Sequence, residues 1–324
     1  MKAIVCKALG PPESLVYEDV PDIAPSANEV RIQVASAGVN FPDTLIIQGK
    51  YQFKGVPPFT PGAEVAGVVT AVGSKVGHIK PGDHVAALIP VGAYAEAVNA
   101  PAEVVMPLPP GMDLVMAGGF PLVFGTVIHA LKQRGQLQAG ETLLVLGAAG
   151  GVGLAAIQLG KLMGARVIAA ASSADKLALC KAHGADDVID YSTESLKDAM
   201  KKLTRGQGAD VIFDPVGGEL AQDCFSAIAW NGRFLVVGFA SGTIPEVALN
   251  RLLLKGASAV GVFWGAFVAR EPKLNLQNFQ QLFAWVVSGE LKPLISKTYA
   301  LKDAGQALRD MLDRKVTGKV VLVP

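Results

Sequence analysis

A glycine-rich turn near the middle of the chain has the residue types and spacing that bind a phosphate group. An apolar run leads directly into Gly147-Ala148-Ala149-Gly150-Gly151-Val152-Gly153. Read from Ala148, this is an A-x-G-x-x-G variant of the dinucleotide fingerprint, in which a strand enters the turn and a helix leaves it. Gly150 or Gly151 would let the backbone approach a pyrophosphate, Gly153 would let the helix pack on the strand, and the helix dipole favours phosphate. The turn predicts a dinucleotide site formed by Ala148, Gly150, Gly151, Val152 and Gly153; a plain tight turn in an α/β protein is the alternative.

The end of the next predicted strand indicates which dinucleotide binds. A site for NAD places Asp or Glu there, where the carboxylate binds the ribose 2′-hydroxyl. Here the strand Arg166–Ala170 is followed by an alanine and two serines, with no acid before the next helix. The Ser172 hydroxyl and the Lys176 ammonium suit a 2′-phosphate, and Tyr191 after the third strand could add a hydroxyl. We therefore predict NADPH rather than NADH; the alternative is that Ser172 only caps the helix and Lys176 is a solvated surface residue.

Residues for metal binding or nucleophilic catalysis do not form a pattern in this sequence. The histidines lack the spacing of metal ligands, and the chain has neither a G-x-S-x-G elbow nor a Walker A lysine. The three cysteines stand far apart, which predicts no disulfide framework, no metal site and a reducing compartment, the cytoplasm. The chemistry is therefore expected to rest on the nicotinamide, with the protein supplying position, exclusion of water and polarisation of the acceptor.

The elements that must position these residues change in character along the chain. The first third is punctuated by Gly and Pro and predicts an antiparallel, barrel-like domain. Its predicted strands are Met1–Ala8, Glu29–Val34, Val65–Val72, His84–Ile89 and Ala93–Val98.

From about residue 117, apolar strands alternate with helical segments, which predicts a parallel sheet covered on both faces. The predicted strands are Thr142–Leu146, Arg166–Ala170, Asp187–Asp190, Val211–Asp214, Arg233–Val237 and Ser258–Val262. The predicted helices between and after them are Gly151–Met163, Ala174–His183, Glu194–Leu203, Glu219–Ala229, Leu249–Leu254 and Leu276–Ser288. Six strands make a full dinucleotide-binding sheet.

Composition excludes several classes of protein. The chain has 324 residues, of which 51% are hydrophobic and 18% charged, with a net charge of +1. This balance predicts a folded protein of about two domains and no nucleic-acid partner. Residues 114–131 and 142–160 carry no charge, but Pro121 and the glycines in them argue against a membrane span, and the N-terminus lacks the apolar core of a signal peptide.

The ordered motifs together resemble those of the medium-chain dehydrogenase/reductases, over essentially the whole chain. Within that family the sequence is similar to the zinc-independent quinone oxidoreductase branch, and to its quinone-oxidoreductase-like 2 group. The stretches that carry the resemblance include Ala37-Gly38-Val39-Asn40-Phe41-Pro42-Asp43, Gly49-Lys50-Tyr51, Pro61-Gly62-Ala63-Glu64-Val65-Ala66-Gly67, Phe213-Asp214-Pro215-Val216-Gly217-Gly218 and Gly261-Val262-Phe263-Trp264-Gly265.

The departures from the zinc alcohol dehydrogenases of this family are informative. Asn40 stands where those enzymes carry a zinc-binding Cys, and Ala63 stands where they carry a His before Glu64. The lobe with four cysteines is absent. These differences argue against alcohol oxidation through a zinc alkoxide and for a site without metal.

The resemblance implies an α/β fold class: a GroES-like β-barrel domain plus an inserted Rossmann domain with a doubly wound, parallel six-stranded sheet. We expect the GroES-like catalytic domain to comprise residues 1–118 with 265–324, and the NADP(H)-binding domain residues 119–264. The two would face each other across a cleft with the nicotinamide at its bottom.

The resemblance also implies roles for individual residues. Asn40 and Asp43 would line the cleft near the nicotinamide and substrate, and Tyr51 would stand at its entrance; these three are the catalytic candidates. Further cofactor contacts, besides Asn40, are implied for Thr126, Val216, Gly217, Phe239, Ser241 and Lys319. The alternatives are structural: packing for Tyr51, bracing of a loop for Asn40, a helix cap for Asp43 and an ordinary surface charge for Lys319.

The function expected from this resemblance is hydride transfer from NADPH to a quinone or a similar conjugated carbonyl. Tyr51 or Asn40 would stabilise the charge that develops on the carbonyl oxygen. The alternatives are an enoyl- or acryloyl-CoA-type (2-alkenal) reductase, with Tyr51 as the acid, and a cofactor-binding protein with little turnover. An apolar edge strand at Ser258–Phe263 predicts a homodimer.

Overall fold

The computed structural model describes residues 1–324, which form two compact units. The β-rich unit comprises Met1–Leu122 and Pro293–Pro324, and the parallel-sheet unit comprises Val123–Lys292. The parallel-sheet unit thus interrupts the chain of the β-rich unit, as expected for an inserted domain.

The fifteen strands run in chain order as β1 (Lys2–Val5), β2 (Val16–Asp19), β3 (Glu29–Gly38), β4 (Glu64–Val72), β5 (His84–Leu88), β6 (Ala97–Pro101), β7 (Val105–Pro107), β8 (Thr142–Val145), β9 (Arg166–Ala171), β10 (Asp187–Asp190), β11 (Ala209–Asp214), β12 (Ile228–Val236), β13 (Ser258–Gly261), β14 (Ile295–Ala300) and β15 (Lys319–Val323). The α-helices are α1 (Phe41–Ile46), α2 (Leu114–Ala117), α3 (Pro121–Ile128), α4 (Gly151–Leu162), α5 (Ala174–Ala182), α6 (Leu196–Leu203), α7 (Leu220–Ala227), α8 (Asn250–Leu253), α9 (Trp264–Arg270), α10 (Pro272–Val287) and α11 (Ala304–Leu312). A π-helical turn over His129–Arg134 follows α3.

The β-rich unit is built on a seven-stranded sheet with the order β14-β15-β3-β4-β5-β7, in which β6 also pairs with β3. Strand β3 is central because it pairs with β4, β6 and β15, all antiparallel. Its apolar residues Val30, Ile32 and Val34 are buried in the core. The predicted strand Ala93–Val98 lies differently, since β6 begins only at Ala97. The N–H groups of Ala93 and Tyr94 bind the carbonyls of Gly62 and Pro61 instead.

The parallel-sheet unit contains the predicted six-stranded parallel sheet, which is confirmed, in the order β10-β9-β8-β11-β12-β13. The chain moves outward from β8 first to one side and then to the other, so the order reverses between β8 and β11. This is the doubly wound arrangement, in which ligands bind where the carboxyl ends of the strands diverge. Leu144, Ile168 and Ile212 on neighbouring strands form the centre of the core.

The second boundary between the units differs from the expected one at residue 264. Helix α10 belongs to the parallel-sheet unit because its polar buried residues bind partners there. Trp264 donates to Asn275 Oδ1 at 3.1 Å, and the amides of Asn278 and Gln133 exchange two hydrogen bonds at 3.0 and 3.2 Å. No helix is both long and apolar enough to cross a bilayer.

Candidate functional site

The glycine-rich turn links β8 to α4 and is shaped by close backbone contacts. Gly147 adopts a φ of +55°, and the N–H of Gly150 binds its carbonyl at 3.0 Å. A Cβ atom on Gly153 would lie 2.4 Å from Gly147 O and 2.6 Å from Ala148 O, so only glycine fits there. Helix α4 begins at Gly151, and the first N–H groups of a helix have no partner within it. The turn therefore offers unpaired donors beside a backbone that is free of side chains.

A second loop approaches this turn from the neighbouring strand, β11. A Cβ atom on Gly147 would lie 2.8 Å from Val216 Cγ2. Asp214, which ends β11, accepts hydrogen bonds on Oδ1 from the N–H groups of Val216 at 2.8 Å and Gly217 at 2.9 Å. The turn and this loop thus meet where the strand order reverses, which is the position expected of a dinucleotide site.

Four of the predicted cofactor contacts come together where the segment after β12 meets this second loop. Ser241 donates its N–H to Val216 O at 2.9 Å. Phe239 Cδ1 lies 2.9 Å from the place where a Cβ atom of Gly217 would be. Asp214 was not among the predicted site residues, although its signal is visible in the sequence as an acid at a strand end before Pro-Val-Gly-Gly. It is buried, and burial raises its pKa.

The residues predicted to bind a 2′-phosphate follow the ends of two neighbouring strands. Ser172 directly follows β9, and the N–H of Tyr191, which directly follows β10, binds Ala171 O at 3.2 Å. Lys176 lies in the first turn of α5, whose N-cap is Ser173 and not Ser172. No acid stands at this end of β9. Thr126, the remaining contact predicted in this unit, lies half-buried in α3.

The β-rich unit contains a buried polar cluster, defined here as Asn40, Asp43, Glu64, Tyr94 and Lys319. Each of these residues is at most 6% exposed. The ammonium of Lys319 donates to Val39 O at 3.0 Å, Asn40 Oδ1 at 2.5 Å and Glu64 Oε1 at 2.7 Å. Its three hydrogens are thereby used within the β-rich unit, which leaves none for the cofactor contact expected of it.

Asn40 is equally engaged. Its Nδ2 donates to Glu64 Oε1 at 2.8 Å and, more weakly, to Gly38 O at 3.4 Å, while its Oδ1 accepts from Lys319. Both amide hydrogens and the amide oxygen therefore have partners, and this geometry is that of a bracing amide.

Asp43 lies at the start of α1 with one oxygen bonded and the other not. Its Oδ2 accepts from Tyr94 OH at 2.7 Å and from the N–H of Asn40 at 2.8 Å. Its Oδ1 is buried and has no hydrogen-bond partner. Burial raises the pKa of Asp43 to about 6, although the bonds from Tyr94 and Asn40 and the charge of Lys319 oppose the shift.

Tyr51 follows α1 and is half-buried. The connection is tight, because the N–H of Lys50 binds Leu45 O at 2.8 Å and Gly49 adopts a φ of +68°. Burial, and then the nearby Asp43 carboxylate, raise the pKa of the Tyr51 phenol. Tyr51 therefore keeps its proton at neutral pH and can donate a hydrogen bond. No group of three or more His, Cys, Asp or Glu residues is arranged to hold a metal ion.

Comparisons with known proteins agree with both units. The family models of the alcohol dehydrogenase GroES-like domain and of zinc-binding dehydrogenase match residues 26–110 and 151–286. The quinone oxidoreductase-like protein 2 homolog of Nematostella vectensis is 40% identical over 325 residues, covering 99% of this chain and 88% of that protein. The structure of Escherichia coli quinone oxidoreductase complexed with NADPH has a TM-score of 0.93 at 29% identity, covering 100% of both chains. That of CurK enoyl reductase has a TM-score of 0.89 at 28% identity, covering 99% of this chain and 98% of that one.

Proposed function

This chain belongs to the medium-chain dehydrogenase/reductase family, in its quinone oxidoreductase branch, and on that premise we propose that it reduces quinones. It is an oxidoreductase whose cofactor is NADPH. The observation that carries the proposal is the glycine-rich turn at the reversal of the strand order, beside a β9 end that has no acid. The turn fits a pyrophosphate because Gly150 and Gly151 carry no side chain there and the first N–H groups of α4 have no partner within the helix.

The parallel-sheet unit supplies the groups that bind the cofactor. The N–H groups at the start of α4 bind the pyrophosphate, and Ser172, Lys176 and Tyr191 bind the 2′-phosphate. Val216 in the second loop, and Phe239 and Ser241 in the segment after β12, border the cofactor, and Thr126 contacts its nicotinamide side. NADPH, when bound, supplies the hydride from its nicotinamide.

The β-rich unit supplies the donor for the acceptor's oxygen. Tyr51, which holds its proton, donates a hydrogen bond to the carbonyl oxygen on which negative charge develops. A quinone needs little acid catalysis, because its reduced oxygen is already stabilised as a phenolate. Asn40 and Asp43 act on this step by holding the start of α1, and no metal ion takes part.

An enoyl- or acryloyl-CoA-type reductase is the second candidate, and the presence of the Tyr51 phenol favours it. Such a reaction needs a proton at the α-carbon of the substrate. Tyr51 is half-buried and carries a proton at neutral pH, although the burial that raises its pKa also makes it a weaker acid. The Tyr51→Phe variant separates the two candidates, since it abolishes enoyl reduction but slows quinone reduction only several-fold.

The test is NADPH oxidation by the purified protein with an ortho-quinone, a para-quinone, an alkenal and acryloyl-CoA. We expect turnover with quinones and at least tenfold weaker turnover with NADH. Lys176→Ala should remove most of this preference, whereas Lys197→Ala, an exposed lysine of α6, should leave it unchanged. Turnover of acryloyl-CoA alone would move the assignment to the enoyl reaction, and NADPH binding without any turnover would refute the enzymatic function.

A homodimer in the cytoplasm completes the proposal. Strand β13 ends the parallel sheet, its Ser258 and Ala259 are exposed, and Phe263 beyond it is 59% exposed. An open strand edge beside apolar side chains invites a second copy. Light scattering after size exclusion should give twice the mass of the chain; a monomer at micromolar concentration would refute the dimer. The proposed compartment rests on the three cysteines, which are all free and buried.

A further inference from the structure

The buried ion pair between Lys319 and Glu64 has no task in the mechanism described so far. Lys319 is 6% exposed and Glu64 is 0% exposed. Charges this deeply buried are costly unless they are paired and hydrogen-bonded, so a buried pair indicates a specific constraint on the structure. Glu64 Oε1 accepts from Lys319, and Glu64 Oε2 accepts from the N–H of Leu122 at 2.8 Å. Both carboxylate oxygens are thus used by the β-rich unit itself.

The backbone closes around this ion pair and leaves it no room to move. A Cβ atom on Gly38 would lie 2.2 Å from Glu64 Oε1, and one on Gly119 would lie 2.8 Å from Lys319 Cγ. Two glycines are therefore required where the chain passes the pair. Such an enclosure is suited to fixing the neighbouring groups and not to binding a ligand that comes and goes.

The group that the ion pair fixes is the Asn40 carboxamide. An amide has a donor end and an acceptor end of nearly the same shape, and its surroundings decide which way it points. Here the cation faces Oδ1 at 2.5 Å and the carboxylate faces Nδ2 at 2.8 Å. In the reversed orientation the amide NH2 group would face the Lys319 ammonium and the amide oxygen would face the Glu64 carboxylate, and both contacts would be repulsive. The ion pair therefore permits only one orientation of the amide.

Asn40 connects the ion pair to the residues of α1 and to Tyr51 beyond it. The N–H of Asn40 binds Asp43 Oδ2, and the helix that begins there leads through the Lys50–Leu45 bond to Tyr51. We propose that Lys319 and Glu64 are positioning residues, whose ion pair locks the Asn40 amide and thereby holds Asp43 and Tyr51 in place for the reduction. The proposal rests on the proposed function for the reaction that it serves. Lys319 acts through Asn40 and does not touch the cofactor.

The charges of the pair also act on Asp43, in opposite directions. Two charged residues face Asp43: Lys319 from β15 and Glu64 from β4. Three uncharged polar residues also face it: Tyr94 from the segment before β6, Asn40 from the start of α1, and Tyr51 from the segment after α1. Lys319 lowers the pKa of Asp43 and Glu64 raises it. Removing Lys319 alone must therefore raise this pKa, removing Glu64 alone must lower it, and removing both combines two opposing effects. A role in packing alone would not produce this pattern.

The experiment compares Lys319→Met, Glu64→Gln and the double variant in the full chain. Lys297→Met, an exposed lysine on β14 of the same unit, is the matched control and should leave every readout unchanged. NADPH affinity is measured by fluorescence titration, and quinone turnover is measured by NADPH oxidation. The titration of Asp43 is obtained from the pH dependence of thermal unfolding, as the part of that dependence which disappears when Asp43→Asn is added to each variant. Each single variant leaves one buried charge unpaired and should unfold at a lower temperature than the parent. The double variant leaves none unpaired, so it decides the outcome where a single variant fails to fold.

We expect the folded double variant to bind NADPH within threefold of the parent while kcat for a quinone falls several-fold. The Asp43 midpoint should rise in Lys319→Met, fall in Glu64→Gln and lie between these two values in the double variant. A tenfold loss of NADPH affinity in the folded double variant would make Lys319 a cofactor ligand and overturn the proposal, and so would an unchanged kcat. If the parent protein reduces no quinone, the proposed function is refuted and the kcat comparison cannot be made. The Asp43 midpoint can still be measured in that case, and a midpoint that is the same in both single variants as in the parent would overturn the charge coupling.

Discussion

At the scale of single residues, Asp43 is a carboxyl group that the fold makes costly to ionise. One of its oxygens is bonded and the other is buried without a partner. Its pKa rises from an ordinary value of 3.8 to about 6. The folded state therefore binds the Asp43 proton more tightly than the unfolded state does. The stability that this gives is fully present below about pH 4 and is lost as the pH rises through about 6.

Substituting Asp43 by Asn should remove this dependence on pH. In the parent, the Asp43 contribution to the free energy of unfolding should fall by about 2 kcal/mol between pH 4 and pH 7. The variant has no proton to lose, so its stability should be flatter over that interval. Urea unfolding at several pH values measures the difference. Asp175→Asn, an exposed acid of α5, is the control and should keep the parent's slope; a variant as steep as the parent would contradict the prediction.

Two glycines of the phosphate turn should respond differently to alanine. The methyl group of Gly153→Ala would lie 2.4 Å from a backbone oxygen, whereas that of Gly150→Ala would have no atom nearer than 3.3 Å. Gly153→Ala should therefore lose about 1–3 kcal/mol of stability from overpacking and bind NADPH at least tenfold more weakly. Gly150→Ala should keep its stability but weaken NADPH binding. Thermal melts with and without NADPH test both, and a fully stable Gly153→Ala protein would show that the turn relaxes.

At the scale of elements, the parallel sheet followed from the sequence because short apolar strands alternate there with helical segments. The predicted strand Asp187–Asp190 has the observed bounds, and most of the others end within a few residues of the observed ones. The β-rich unit was harder to predict, since its pairings are long-range and its strands short. Strand β14, Ile295–Ala300, was not predicted: its exposed residues are polar, and its pairing with β15 is not a local signal.

The parts of the candidate site also differ in how far they could be predicted from the sequence. The phosphate turn could be predicted because sequence neighbours form it, whereas Val216 and Gly217 of the second loop were implied only by the resemblance to the family. The buried polar cluster could not, since its bonds join residues that are far apart in the chain. Tyr94 lies in the run Ala93-Tyr94-Ala95, which carries no sign of its bond to Asp43.

The hydrogen bonds that hold α10 in the parallel-sheet unit can be tested by mutation. Asn278 is fully buried and exchanges two hydrogen bonds with Gln133. Asn278→Ala should lower the free energy of unfolding by about 1–3 kcal/mol, because it leaves the Gln133 amide unpaired. Gln280→Ala, an exposed residue of the same helix, should change little. A double-mutant cycle with Gln133→Ala measures the coupling, and a coupling near zero would show that the pair does not anchor the helix.

At the scale of the whole molecule, the chain contains two separate hydrophobic cores, one in each unit. The core of the parallel-sheet unit is built from a single continuous segment, Val123–Lys292. A continuous segment with its own core can fold by itself.

We therefore expect the fragment 123–292 to fold alone and the fragment 123–264 to fail. The shorter fragment lacks α10, whose Phe279 and Leu282 are buried. Circular dichroism and cooperative thermal unfolding distinguish the two. Equal stability of both fragments would place the boundary at residue 264 after all, and failure of both would show that the unit depends on the rest of the chain.

The bond between Lys319 and Glu64 has a consequence for the order in which the protein is made. These residues are 255 positions apart in the chain, so the ribosome completes the whole parallel-sheet unit after Glu64 and before Lys319. Throughout that interval the carboxylate of Glu64 has no cation to pair with, and burying it would be unfavourable. The buried cluster can therefore close only when β15 arrives, after the parallel-sheet unit has left the ribosome. The catalytic region therefore cannot assemble early in synthesis. It is completed only when the C-terminal segment, which carries β15, joins the β-rich unit that the N-terminal segment began.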